Sequence, residues 1–178
     1  CGASPVEVEF EWGTPVDPGK VEEALKANPD AVVMAFVHSE TSTGVRSDAK
    51  TLCKLAHDHG CLNIVDTVTS LGGIELLVDD WGVDAIYSGT QKCLSAPPGL
   101  SPVSFNDAAM AKVQARKTPP QSWFLDLNLL TSYWGPGAKR AYHHTAPINM
   151  LYALHEALSL LKREGLQNAW DRHAQNHL

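Results

Sequence analysis

The sequence predicts a layered α/β domain built on a mainly parallel sheet. Short apolar runs bounded by turn residues alternate with stretches of helical spacing. The 178 residues are 44% hydrophobic and 19% charged, enough to bury one core and hardly two. Three polar clusters directly follow apolar runs, where open parallel sheets collect their ligands.

Taken in order, Val6 to Trp12 alternates valine or an aromatic with glutamate, a period of two that predicts a half-exposed strand. Pro15, Pro18 and Gly19 predict a turn, and Lys20 to Ala27 has helical spacing with Val21, Ala24 and Leu25 inward. The continuous apolar run Ala31 to Val37 reads as a strand buried on both faces. Ser47 to His59 reads as a helix capped by Ser47 and stopped at Gly60. Short strands follow at Leu62 to Val65, Asp84 to Tyr87 and Pro102 to Phe105, then a helix from near Asp107 to about Arg116. Thr118 to Tyr142, rich in Pro, Trp and Gly, is expected to be a long ordered connection. From Ile148 to Glu164 a stripe of Met150, Leu151, Leu154, Leu158 and Leu161 predicts a helix packed in a core or against a second copy. Gly165 breaks it, and Leu166 to His177 begins another.

Charge and composition narrow the partners. The net charge is −6, from 14 basic and 20 acidic residues with no basic stripe, which argues against nucleic acid. Apolar runs such as Ala31 to Val37 are far too short to cross a bilayer, and no signal peptide opens the chain. The four cysteines show no CxxC spacing, so an intracellular setting is expected. The chain opens at Cys1 without a methionine and ends in polar helical sequence, so it reads as a piece of something longer.

The three clusters are His38 to Gly44, Asp66 to Gly73 and Ser88 to Gly99. They bring a carboxylate, several hydroxyls and one lysine to the same edge. Lys92 follows a predicted buried strand and is flanked by small residues and prolines. By itself it is readily a surface-loop lysine, and Asp66 by itself is as readily a helix cap. A desolvated lysine, however, is a nucleophile toward an aldehyde. Together the two residues suit a pyridinium cofactor, which needs a carboxylate at its ring nitrogen and a lysine at its aldehyde carbon.

Asp66-Thr-Val-Thr-Ser-Leu-Gly-Gly73, followed by Tyr87-Ser-Gly-Thr-Gln-Lys-Cys-Leu-Ser-Ala-Pro-Pro-Gly99, resembles the class V aminotransferases of fold type I. His38-Ser-Glu-Thr-Ser-Thr-Gly-Val45 and Tyr142-His-His-Thr-Ala-Pro147 match the alanine–glyoxylate (serine–pyruvate) branch, and the likeness runs from about Trp12 to the C-terminus. The resemblance implies the three-layer large domain of the pyridoxal 5′-phosphate (PLP)-dependent transferases, a mainly parallel sheet with helices on both faces. It assigns 1–164 to that domain, without its N-terminal part, and 165–178 to the start of a C-terminal small domain.

The implied activity moves an amino group from alanine or serine to glyoxylate or pyruvate. Lys92 would carry PLP and shuttle a proton at the substrate Cα, and Asp66 would keep the pyridine nitrogen protonated. Val68 would pack against the ring face, Thr41 would hydrogen-bond near the phenolic oxygen, and Gln91 would contact the phosphate. Tyr142 and Thr145 would reach the phosphate of a neighbouring subunit's cofactor, which implies a homodimer with shared sites. The family's phosphate loop, its ring-stacking aromatic and its substrate-carboxylate arginine match nothing within the chain, and none of the five arginines is assigned that role. Relatives occur in peroxisomes, mitochondria and bacterial cytoplasm, which leaves the compartment open.

Other readings compete. A cysteine desulfurase, a kynureninase or a 3-hydroxykynurenine transaminase would share fold and cofactor, and a catalytically incomplete fragment would share only the fold. His57-Asp58-His59 suggests a metal pair, but residues two apart on a helix diverge, so a solvated helix end is expected. His143-His144 is expected to serve structural hydrogen bonding rather than a metal. Cys93 is expected to be a buried small residue, and Gly72-Gly73 lacks the surroundings of a dinucleotide site.

Overall fold

The computed structural model describes residues 2–134, 137 and 141–177. Its sheet has four strands in the order β1 (Val33–Val37), β2 (Leu62–Asp66), β3 (Ala85–Tyr87), β4 (Val103–Phe105). The first three run parallel and β4 pairs antiparallel with β3. The mainly parallel α/β expectation holds.

Helix α1 (Pro18–Ala27) starts two residues before the predicted boundary. Asp17 accepts the Gly19 N–H at 2.8 Å, and Pro18, with no N–H to satisfy, fits the first helical position. Helix α2 (Ala49–Asp58) makes the crossover from β1 to β2. Its cap is Asp48 rather than Ser47, whose hydroxyl instead accepts the Val16 N–H at 3.2 Å. Val21 and Leu25 of α1 pack with Leu52 and Ala56 of α2 and with Cys61, covered by Met34 and Phe36 of β1. A second cluster joins Cys53, Val65, Val83 and Ile86.

Strand β1 is not buried on both faces, contrary to its apolar composition. Met34 and Phe36 face the helices, while Val33 is 45% exposed and Ala35 is also open. Among the described residues its only strand neighbour is β2, and the face carrying Val33 and Ala35 is left open. The alternating segment Val6 to Trp12 forms no strand either. A strand needs a neighbour for its backbone hydrogen bonds, and none lies beside it among the described residues.

Helix α3 (Asp107–Gln114) is capped by Asn106, which accepts the Ala109 N–H at 2.9 Å. Helix α4 (Leu127–Trp134) occupies part of the predicted connection between Thr118 and Tyr142; five residues of that stretch (135, 136 and 138–140) lie outside the described ones. Helices α5 (Ile148–Glu164) and α6 (Leu166–Asn176) follow, separated by Gly165. The leucine stripe of α5 is not core among the described residues, since Leu151 and Leu158 are 44% and 45% exposed. Leu154, Leu158 and Leu161 line an apolar groove of about 300 Å³ with Leu71, Leu94 and Pro102.

One buried acid fastens several elements. Asp84, 2% exposed, accepts the Asn63 N–H at 2.8 Å and the Asn106 side-chain amide at 2.7 Å. His57 Nε2 lies 2.8 Å from its Oδ2. The first member of His57-Asp58-His59 is therefore a partner of this acid, not a purely solvated helix end. A buried carboxylate persists only with such partners.

Candidate active site

Three strands end in one row. Val37 lies beside Asp66, and Asp66 beside Tyr87, so the loops that follow leave the same rim of the sheet. Hydrogen bonds stitch the loops together. The His38 N–H donates to the Asp66 carbonyl at 3.0 Å, and the Thr67 N–H to the Tyr87 carbonyl at 2.9 Å. The Thr69 hydroxyl donates to the Ser39 carbonyl, and the Ser88 hydroxyl to the Thr67 carbonyl at 3.0 Å. The Cys93 thiol reaches the Thr69 carbonyl at 3.3 Å, which brings the lysine loop onto the aspartate loop.

Asp66 closes β2 and is half-buried, with each carboxylate oxygen engaged. Oδ1 accepts the Val68 N–H at 2.8 Å, a local turn that small polar residues commonly make. Oδ2 accepts the Tyr87 hydroxyl at 2.7 Å. Val68 is half-buried beside it.

Lys92 is also half-buried. Its carbonyl accepts the Ser95 N–H at 2.9 Å, and Ser95 sits at φ 56°, a left-handed conformation uncommon outside glycine. Thr90, fully buried, holds the base of this loop by donating its hydroxyl to the Pro97 carbonyl at 2.6 Å, while its own carbonyl accepts the Ala96 N–H at 3.0 Å. Strain of this kind persists only where the surroundings over-determine it. Burial pushes the Cys93 thiol up, so the cysteine is a poor nucleophile despite its neighbour. It is half-buried, close to the expectation for a small inward residue.

The remaining predicted residues are more open. Thr41 is exposed in a loop closed by the Glu40 N–H to Val45 carbonyl bond at 2.8 Å, and that loop meets the Asp66 loop through Ser39 and Thr69. Gln91 is exposed, and its side chain folds back against Gly89. Tyr142, 75% exposed, has its hydroxyl 2.6 Å from that of Thr145. Behind this pair His143 stacks on Trp123 with ring centres 3.9 Å apart and touches His144 through their Nδ1 atoms at 2.8 Å.

Sequence reasoning missed Tyr87 and Thr69. The sequence signal for the first was its place at the end of the predicted strand Asp84 to Tyr87; that it falls beside Asp66 comes from the register. No pattern pointed to Thr69, whose contact is with a carbonyl thirty residues away.

The fold is the one shared by PLP-dependent aminotransferases, with three linked loops at the carboxyl rim of a mostly parallel sheet. The chain belongs to the class-V aminotransferase family, whose profile matches residues 3–177. It is 46% identical over 155 residues to the alanine–glyoxylate aminotransferase of Rattus norvegicus, covering 86% of this chain and 37% of that protein. It is 38% identical over 191 residues to the (S)-ureidoglycine–glyoxylate transaminase of Bacillus subtilis, covering 97% of this chain and 45% of that one. The crystal structure of alanine–glyoxylate aminotransferase from Nostoc sp. superposes with a TM-score of 0.90 at 46% identity, over 95% of this chain and 44% of that one. The chain thus spans less than half the length of these relatives.

Proposed function

We propose that the protein containing this chain is a PLP-dependent aminotransferase that moves an amino group from alanine or serine to glyoxylate or pyruvate. One observation carries the reading. The loop bearing Lys92 and the loop bearing Asp66 leave one rim of the sheet and are joined through Cys93 and Thr69. A lysine and a fixed carboxylate on adjoining loops are the donor set a pyridine aldehyde requires. Each Asp66 oxygen accepts one hydrogen bond and keeps capacity for another, so the carboxylate can also receive a ring N–H. The residues present fit the cofactor.

When bound, PLP supplies an electron-withdrawing ring that stabilises the negative charge left as a substrate Cα–H bond breaks. Asp66 would hold the proton on the ring nitrogen. Lys92 would carry the cofactor on its amine and, once freed, take the Cα proton as a general base. Val68 would pack on the ring, Thr41 would hydrogen-bond near the phenolic oxygen, and Gln91 would contact the phosphate. Tyr142 and Thr145, whose hydroxyls adjoin in an exposed loop, would donate to the phosphate of a second subunit's cofactor in a homodimer. The names of the two relatives above, each a glyoxylate aminotransferase, support glyoxylate as the acceptor.

The test uses the full-length protein. Borohydride reduction should bleach its visible absorbance and fix the cofactor to the peptide containing Lys92, and Lys92→Ala should abolish the label. A label on another lysine, or none, refutes the assignment. Half-reactions with alanine, serine and hydroxykynurenine then identify the amino donor.

A further inference from the structure

Tyr87 has no part in the roles above, yet among the described residues it makes the one long-range side-chain hydrogen bond to the Asp66 carboxylate. It ends β3 directly beside Asp66 in the parallel register, and its hydroxyl donates to Oδ2 at 2.7 Å. The other oxygen is held from its own loop by the Val68 N–H at 2.8 Å. One donor alone would leave the carboxylate free to swing about its last torsion, which is broad for aspartate. Two donors on different oxygens, one from the following turn and one from the next strand, fix its plane. The hydrogen bond to Asp66, with burial and the Asp66 charge, pushes the Tyr87 hydroxyl up to about 12, so it keeps its proton and remains a donor at neutral pH.

Resting on the PLP reading, we propose that Tyr87 is a positioning residue that aims the Asp66 carboxylate at the cofactor's ring nitrogen. A contact that only pinned β2 to β3 would differ in one respect. A strand pin affects every ligand of the site alike, whereas an aiming role acts only on ligands that have a ring N–H to receive.

The experiment measures binding of pyridoxine 5′-phosphate, which carries the ring nitrogen and phosphate but cannot bond to Lys92, to the full-length apoprotein by tryptophan fluorescence. Its 1-deaza counterpart, with carbon in place of the ring nitrogen, is the control. Tyr87→Phe is expected to weaken pyridoxine 5′-phosphate on the order of tenfold, the usual scale for a lost hydrogen bond to a charged group, and to leave the deaza compound unchanged. In an Asp66→Asn background the same substitution is expected to add nothing. Equal weakening of both ligands, or of neither, overturns the proposal. If the unsubstituted protein binds neither compound, the cofactor reading fails and takes the proposal with it. Should Tyr87→Phe not fold, 3-fluorotyrosine at position 87 keeps the shape and makes the hydroxyl a stronger donor. At neutral pH the ratio of pyridoxine 5′-phosphate affinity to deaza affinity must then change, and an unchanged ratio counts against the role.

Discussion

His38 follows β1 into the interior, 1% exposed, with its ring edge-on to Trp81 at 5.7 Å between centres. Its Nδ1 has no hydrogen-bond partner among the described residues. Burial, helped by the charge of Arg46 and opposed by that of Asp48, pushes its pKa down to about 4. The unfolded chain takes up a proton near the ordinary histidine value of about 6.5, whereas the folded chain refuses it. Stability from this residue is therefore full above about pH 6.5 and is lost as pH falls toward 4, by about 3 kcal/mol in all. His38→Leu should flatten that part of the profile. Urea unfolding of the full-length protein at pH 7 and pH 5 checks it, and an equal loss in both proteins would show that His38 titrates normally. Chemistry at this scale was partly legible. Asp66 and Lys92 stand out because their types are unusual after apolar strands, while the burial of His38 depends on Trp81, 43 residues away in sequence.

Elements were legible wherever the apolar period was long, and their ends were not. Serine and aspartate are equally good caps, so Ser47-Asp48 could not be resolved from the sequence; Asp48 takes the role because Ser47 is engaged by Val16. Helix α4 was obscured by the Pro, Trp and Gly around it, and the alternation in Val6 to Trp12 promised a strand that a lone segment cannot make. The α2 cap gives a direct measurement. Asp48 accepts the Thr51 N–H at 3.1 Å and the Thr51 hydroxyl at 2.7 Å. The hydroxyl first and the N–H second hold its carboxyl below the usual range, with Arg46 and Lys50 adding to the effect. Asp48→Ala should cost about 1 kcal/mol near neutral pH, and Asp48→Asn, an equivalent cap, much less. Because the folded carboxyl is the stronger acid, the advantage exists above the unfolded value of about 3.9 and disappears as pH falls through the folded one. The aspartate–alanine gap in urea midpoint should therefore narrow at strongly acid pH toward the asparagine–alanine gap, since the protonated carboxyl still accepts as an amide does. A gap that does not narrow would mean the cap acts without its charge.

At the scale of the whole molecule, the parallel order of strands was predictable from alternating elements, but the joints between loops required the register. Gly73 shows why. It belongs to the loop after β2, and a Cβ built on it would lie 2.5 Å from Cys93 Sγ, 3.0 Å from Cys93 Cβ and 3.4 Å from His173 Cδ2. Three segments far apart in sequence thus close on a position where only hydrogen fits: the aspartate loop, the lysine loop and α6. Cys93 has little room to retreat, since its thiol is tied to Thr69 and its loop is clamped through Thr90. Gly73→Ala must then push Cys93, and Lys92 with it, away from the Asp66 loop. The expected cost is roughly 1–3 kcal/mol, as for other overpacked sites, together with weaker retention of PLP by the full-length protein on dialysis. Adding Cys93→Ala removes the worst contact and should restore part of both losses, because the sulfur rather than the backbone is the first obstacle. Independent, additive effects of the two substitutions would show that the loops are not locked at this point, and that the juxtaposition of lysine and carboxylate is secured elsewhere.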